Sequence, residues 1–175
     1  MIRIPDAFLQ NLKEHAERDY PHECCGLILG SKADPAALSR IEPCPNIQDR
    51  MHAQDPRGFS RTAETAYFMD PRFLLAIQKT CRERNEVIRI IYHSHVEAEP
   101  LFSPEDEALA VLDREPLHAG VYYLIISVVK REAAKYHLYG WDKGLQAFQR
   151  VSAGGWGPAG RRDEPHGRQA ENPGC

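Results

Sequence analysis

No two cysteines in this 175-residue chain are spaced C-x-x-C, although there are five: Cys24, Cys25, Cys44, Cys81 and Cys175. An odd number without that spacing reads neither as a Cys-rich zinc knuckle nor as a disulfide framework, so buried or free thiols are expected. A basic stripe is missing too. Net charge is -3 and the Lys and Arg residues are spread among acids, so no phosphate-backbone partner is indicated and no nucleic acid is expected. Nor is there an apolar run near the ~20 residues of a membrane span. The longest, around Val121 to Val129, is interrupted by tyrosines and a serine. The N-terminus, MIRIPDAFLQ, lacks the apolar core of a signal peptide. These absences predict a cytoplasmic protein with no membrane partner. No internal repeat is present, and nothing specifies an oligomeric state.

What is present suits one core. With 42% hydrophobic and 27% charged residues, a chain of this length buries one sizeable core and is too short for two. Ile2 to Ile4 reads as a short strand, and Pro5 and Asp6 open a helix carrying Phe8, Leu9, Leu12 and Ala16 on one face. Cys24 to Leu29, closed by Gly30, reads as a buried strand, with another near Ser39 to Cys44. Pro45 to Thr65 reads as a long irregular segment, either a functional loop or a surface insertion. Asp70 and Pro71 start a helix through Phe73, Leu74, Ile77 and Cys81, and Val87 to Tyr92 follows as a buried strand.

Ser103 and Pro104 begin a further helix, with Ala108, Leu109, Val111 and Leu112 available for packing. Val121 to Val129 is the strongest strand signal, with Lys135 to Tyr139 as its hairpin partner and Ala147 to Val151 as a last strand. From Ser152 to Cys175 the composition turns to Gly, Pro, Arg and acids. One domain over residues 1–151 and a mobile tail over 152–175 are therefore expected. Early alternation of strand and helix followed by consecutive strands predicts an α/β fold with a mixed β-sheet flanked by helices.

The chemistry concentrates in YHSHVEAEPLFSPEDEAL, residues 92–109. Successive strand side chains point to opposite faces, so His93 and His95 project the same way and Ser94 the other. Two imidazoles side by side make half of a zinc site. Asp106, eleven residues beyond His95, lies in the first turn of the next helix, from which a carboxylate would complete a two-His, one-Asp set with a fourth position open, as in catalytic zinc sites. The same Ser103 and Asp106 also spell an ordinary helix start, an oxygen cap with an acid in the first turn.

His-Ser-His at 93–95, followed by Ser103 and Asp106, resembles the JAMM, or MPN-plus, metalloprotease motif: His-Ser/Thr-His-Pro, six residues, Ser, two residues, Asp. The spacing matches throughout, and the one departure is Val96 where the motif has proline. PHECCGLILG, residues 21–30, looks like the upstream segment of short bacterial members, with Glu23 at the acidic position; by itself it also reads as a solvated strand end. The resemblance covers roughly residues 1–140. It implies a cytidine-deaminase-like architecture and Zn2+ on His93, His95 and Asp106. It also implies Glu23 as general base and Ser103 as donor to the substrate oxygen.

As substrate it implies a ubiquitin-like or sulfur-carrier protein with a Gly-Gly end. A catalytically silent MPN-type scaffold is the alternative, whereas a nucleobase deaminase needs a C-x-x-C that this chain lacks. The remaining histidines, His15, His22, His52, His118, His137 and His166, read as ordinary surface or loop residues. Phe59 and the arginines of the 45–65 segment are candidates for substrate contact, and Cys24 and Cys25 read as packed strand residues.

Overall fold

The computed structural model describes residues 2–156. The elements are α1 (Asp6–Asp19), β1 (Cys25–Ser31), β2 (Leu38–Cys44), α2 (Gln48–Gln54), α3 (Pro71–Arg84), β3 (Glu86–Val96), α4 (Pro104–Ala110), β4 (Val111–Leu112), β5 (Glu115–Pro116), β6 (Tyr122–Val129), β7 (Glu132–Asp142) and β8 (Ala147–Gly155). Six strands form one sheet in the order β2-β1-β3-β6-β7-β8, and β4 and β5 pair separately. β3 and β6 are parallel, while every other pair in the large sheet is antiparallel. This is the mixed sheet flanked by helices that the alternation of elements predicts.

Strand periodicity divides the core. Ile28, Ile90, Tyr92, Leu124 and Ile126 lie with Leu12 and Ala16 of α1 on one face. Leu27 and Leu29 pack with Ile77 and Cys81 of α3 on the other, where Tyr123, Ile125 and Phe148 build a neighbouring cluster with Ala110 of α4. Tyr92 is fully buried because its register partner is Gly26, where any Cβ would collide with the phenol. The Tyr92 hydroxyl then meets His15 Nδ1 on α1 at 2.8 Å.

Asp70 caps α3 by accepting from the Arg72 amide at 2.9 Å, as the Asp-Pro start predicts. Several expectations need correction. Ile2 and Ile4 are buried in the α1 core but form no strand, their apolar side chains packing ahead of α1 without joining the sheet. The 45–65 segment contains α2, nucleated where Asn46 Oδ1 accepts from the Gln48 amide at 3.0 Å. Only Gln48 of that helix is buried, so no apolar period betrays it. α4 stops at Ala110, and Val111 and Leu112 turn into the small hairpin.

β3 does not end at the histidines but runs through them to Val96, since β6 pairs with it up to that residue. β8 continues past Val151 to Gly155. There Gly154 leaves room for the Tyr136 ring, which a Cβ would approach to 2.6 Å, and Trp156 packs on the same ring at 5.1 Å. The rest of the expected tail lies outside the described residues. No helix among the described residues is long and apolar enough to cross a membrane.

Candidate metal centre

β3 is the third strand of the sheet, held by β1 on one side and β6 on the other. Because Tyr92 faces α1, the alternation sends His93 and His95 to the opposite face. Ser94 points back toward α1, where its hydroxyl accepts from the Cys24 amide at 2.8 Å. His93 is fully buried and stacks against Tyr67 with ring centroids 4.5 Å apart. The two histidine Nε2 atoms are 3.1 Å apart. His95 Nδ1 lies 2.9 Å from the Glu99 carbonyl, and donation there leaves the Nε2 lone pair facing His93.

Asp106 arrives from α4. Ser103 is the N-cap, and a full capping box forms: Ser103 Oγ accepts from the Asp106 amide at 3.1 Å, while Asp106 Oδ2 accepts from the Ser103 amide at 2.9 Å. Pro104 fills the first helical position. Asp106 Oδ1 is 3.1 Å from His93 Nε2 and Asp106 Oδ2 is 3.5 Å from His95 Nε2. The two sequence readings of Ser103 and Asp106 thus coexist, because one carboxylate both caps the helix and faces the histidine pair.

His93, His95 and Asp106 are the one group of three candidate metal ligands found among the described residues. With one ligand atom from each residue, the donors lie within 4.8 Å of one another, within reach of one ion, and two imidazoles with a carboxylate are a donor set that zinc accepts. Burial raises the Asp106 carboxyl, but its contacts with His93, His95 and Ser103 outweigh this and hold it well below the usual carboxylate range. Burial pushes His93 down, against the pull of Asp106, which keeps the imidazole neutral as ligation requires. His95 is raised: burial lowers it, but Asp106, the Glu99 carbonyl and Glu23 prevail.

Glu23 precedes β1 and is 6% exposed. It lines a cleft of about 280 Å³ together with Arg61, Tyr67, His95, Ser103 and Asp106. Burial lifts its carboxyl from the usual 4.5 to about 7, Asp106 adding to the rise and His95 and Arg61 opposing it. Its backbone is pinned on both sides: the amide donates to the Ala63 carbonyl at 2.7 Å and the carbonyl accepts from Asn46 Nδ2 at 2.9 Å. The Asn46 amide also donates to Ala66 at 3.1 Å, fastening one cleft wall. Across the cleft Arg61 Nη1 lies 4.0 Å from Glu105.

Of the five residues singled out in the sequence, Glu23, His95, Ser103 and Asp106 line this cleft, and the fully buried His93 lies behind them with its Nε2 against His95 and Asp106. Sequence reasoning missed Tyr67 and Asn46, which no periodicity or motif spacing marks. Arg61 and Thr65 of the long segment line the cleft, whereas Phe59 packs on Phe68 with centroids 5.4 Å apart. Two histidines read as surface residues are buried, His15 and His137. His15 joins Tyr92 to Asp19, and His137 Nδ1 sits 3.3 Å from the Tyr139 hydroxyl. Cys24 and Cys25 are fully buried. Burial pushes the Cys24 thiol up to about 12, and the contact with Cys44 together with burial pushes Cys25 up as well, so both are packing groups.

Fold and site together define an α/β protein with a His-His-Asp cluster that could hold a metal ion, at the junction of a central strand and a short helix. The chain belongs to the Prok-JAB family, the prokaryotic homologs of the JAB domain, which matches residues 5–139. It is 29% identical over 113 residues to the CysO-cysteine peptidase of Mycobacterium tuberculosis, covering 65% of this chain and 64% of that protein. It is 28% identical over 106 residues to a probable TtuB-protein conjugate cleaving protease of Thermus thermophilus, 61% of each chain. The desampylase of Haloferax volcanii is 29% identical over 105 residues, 60% of this chain and 66% of that one. The chain thus spans just under two thirds of the length of these relatives. A solution structure of a Desulfitobacterium hafniense protein, 24% identical, superposes with a TM-score of 0.60 over 86% of this chain and 89% of the other, which shows a shared fold.

Proposed function

We propose that this protein is a zinc-dependent peptidase that hydrolyses the amide bond following the Gly-Gly end of a ubiquitin-like or sulfur-carrier protein. The observation that carries the reading is the meeting of a three-donor cluster with a buried, proton-competent carboxyl in one cleft. The names of the relatives, two of them a peptidase and a conjugate-cleaving protease, support the same substrate class.

In this reading His93, His95 and Asp106 hold the ion. When bound, zinc supplies a Lewis acid and brings the pKa of a water toward ~7. Glu23 takes the proton of the attacking water and returns it to the leaving amine nitrogen, the two halves of general acid–base catalysis. In the metal-free protein burial lifts its carboxyl to about 7. Ser103 Oγ donates to Asp106 Oδ2 at 2.7 Å. A hydroxyl has one proton to give, so rotation about Cα–Cβ and Cβ–Oγ re-aims it at the substrate carbonyl oxygen as charge develops there. Ser103→Ala is expected to lower kcat about 100- to 1,000-fold, the cost of one oxyanion donor, with zinc content unchanged; equal kcat in steady-state assays would remove Ser103 from this role.

The test is zinc content by atomic emission together with cleavage of a ubiquitin-like carrier bearing one residue beyond Gly-Gly, with and without chelator. The expected result is about one zinc per chain and cleavage abolished by the chelator. Zinc without cleavage would leave a binding scaffold, and freshly purified protein without zinc would sink the reading.

A further inference from the structure

We infer that Ser127 and Tyr139 are positioning residues of the metal centre, their buried hydroxyls fastening the loop that carries the ligands; this rests on the zinc site proposed above. Residues 97–102 connect β3 to α4 and so set the distance between His95 and Asp106. Val96 stands where the motif has proline, and the backbone there lacks the ring that would restrain it. Glu97 takes a left-handed φ of 52°, a conformation uncommon outside glycine. Its amide donates to the Val128 carbonyl at 2.8 Å and its carboxylate accepts from the Lys130 amide at 2.7 Å.

Two hydroxyls from the sheet complete the hold. Ser127 Oγ on β6 donates to the Ala98 carbonyl at 2.6 Å. Tyr139 Oη on β7 donates to the Pro100 carbonyl at 2.9 Å. Both side chains are almost fully buried, and neither lines the cleft, so neither reaches substrate. Between the two pinned carbonyls lies Glu99, whose own carbonyl faces His95 Nδ1 and accepts from the Leu101 amide at 2.8 Å. The position of that oxygen fixes the tautomer and the aim of His95, and the same segment delivers Ser103 and Asp106. Side-chain anchors from two neighbouring strands do here what a stiffer backbone would do.

The test uses Tyr139→Phe and Ser127→Ala, each removing one hydroxyl, with Tyr136→Phe on the same strand as control. Zinc affinity is measured by competition with a chromogenic chelator, and amide exchange at Leu101 is followed in the metal-free proteins. Tyr139→Phe and Ser127→Ala should each weaken zinc binding about 10-fold, and together up to about 100-fold, the range for groups that orient a ligand. Exchange at Leu101 should quicken in both, and Tyr136→Phe should match wild type. Should Ser127→Ala fail to fold, Tyr139→Phe decides alone. Unchanged zinc affinity, with or without a lower melting temperature, overturns the inference while leaving the peptidase reading intact. A wild-type protein that binds no zinc overturns both.

Discussion

Glu23→Gln is expected to bind zinc like wild type and to turn over about 100- to 10,000-fold more slowly, the usual contribution of a general acid–base group. Glutamine has the size of glutamate and leaves the cleft shape alone, so the loss isolates proton transfer. Full turnover in that variant would exclude Glu23 from the mechanism. The same substitution should stabilise the metal-free protein at alkaline pH. Glu23 ionises near 4.5 when free in water but at about 7 in the fold, because burial penalises the charge.

For a carboxyl raised in this way, the contribution to stability is complete below about pH 4.5 and is lost progressively as pH rises through 7. The loss reaches roughly 3 kcal/mol, taking 1.36 kcal/mol per pKa unit. Glutamine has no charge to bury, so chelated Glu23→Gln should melt above chelated wild type at pH 8 and level with it near pH 4.5. An equal gap at both pH values would show that ionisation is not the cause.

Asp106→Asn should fall from about one zinc per chain to near none after dialysis and lose turnover with it, while keeping the helix start. Asparagine retains an oxygen to accept from the Ser103 amide, so the cap survives the loss of the charge that faces His93 and His95. Asp106→Ala removes both functions and should cost a further ~0.5–2 kcal/mol of stability, the range for a lost cap. Comparing metal content and melting of the two variants separates the roles. Wild-type zinc content in Asp106→Asn would dismiss the carboxylate as a ligand.

Local chemistry was legible in the sequence wherever neighbours along the chain decide the structure. Asp70 and Pro71 start α3, the Val121 to Val129 run is β6 within a residue, and the alternation of His93 and His95 about Ser94 puts them on one sheet face. What escaped depends on partners far along the chain. α2 has no apolar stripe because only Gln48 is buried. His15 looks like any helical histidine until Tyr92, 77 positions away, supplies its partner. Tyr67 becomes part of the site only because Asn46 folds the following loop back across Glu23. Ser127 and Tyr139 read as strand residues, and nothing local reveals that their hydroxyls leave the sheet to hold a loop.

The double duty of Ser103 and Asp106 bears on how such proteins decay over evolutionary time. If the proposed zinc site holds, a descendant that replaces His93 or His95 would give up the ion, yet the start of α4 would still need its two reciprocal hydrogen bonds. Selection for a folded chain would then preserve the serine and the aspartate long after selection for chemistry has ceased. Among distant copies of this gene, the histidines are therefore the honest witnesses to activity, and the Ser-x-x-Asp pair testifies only to a helix.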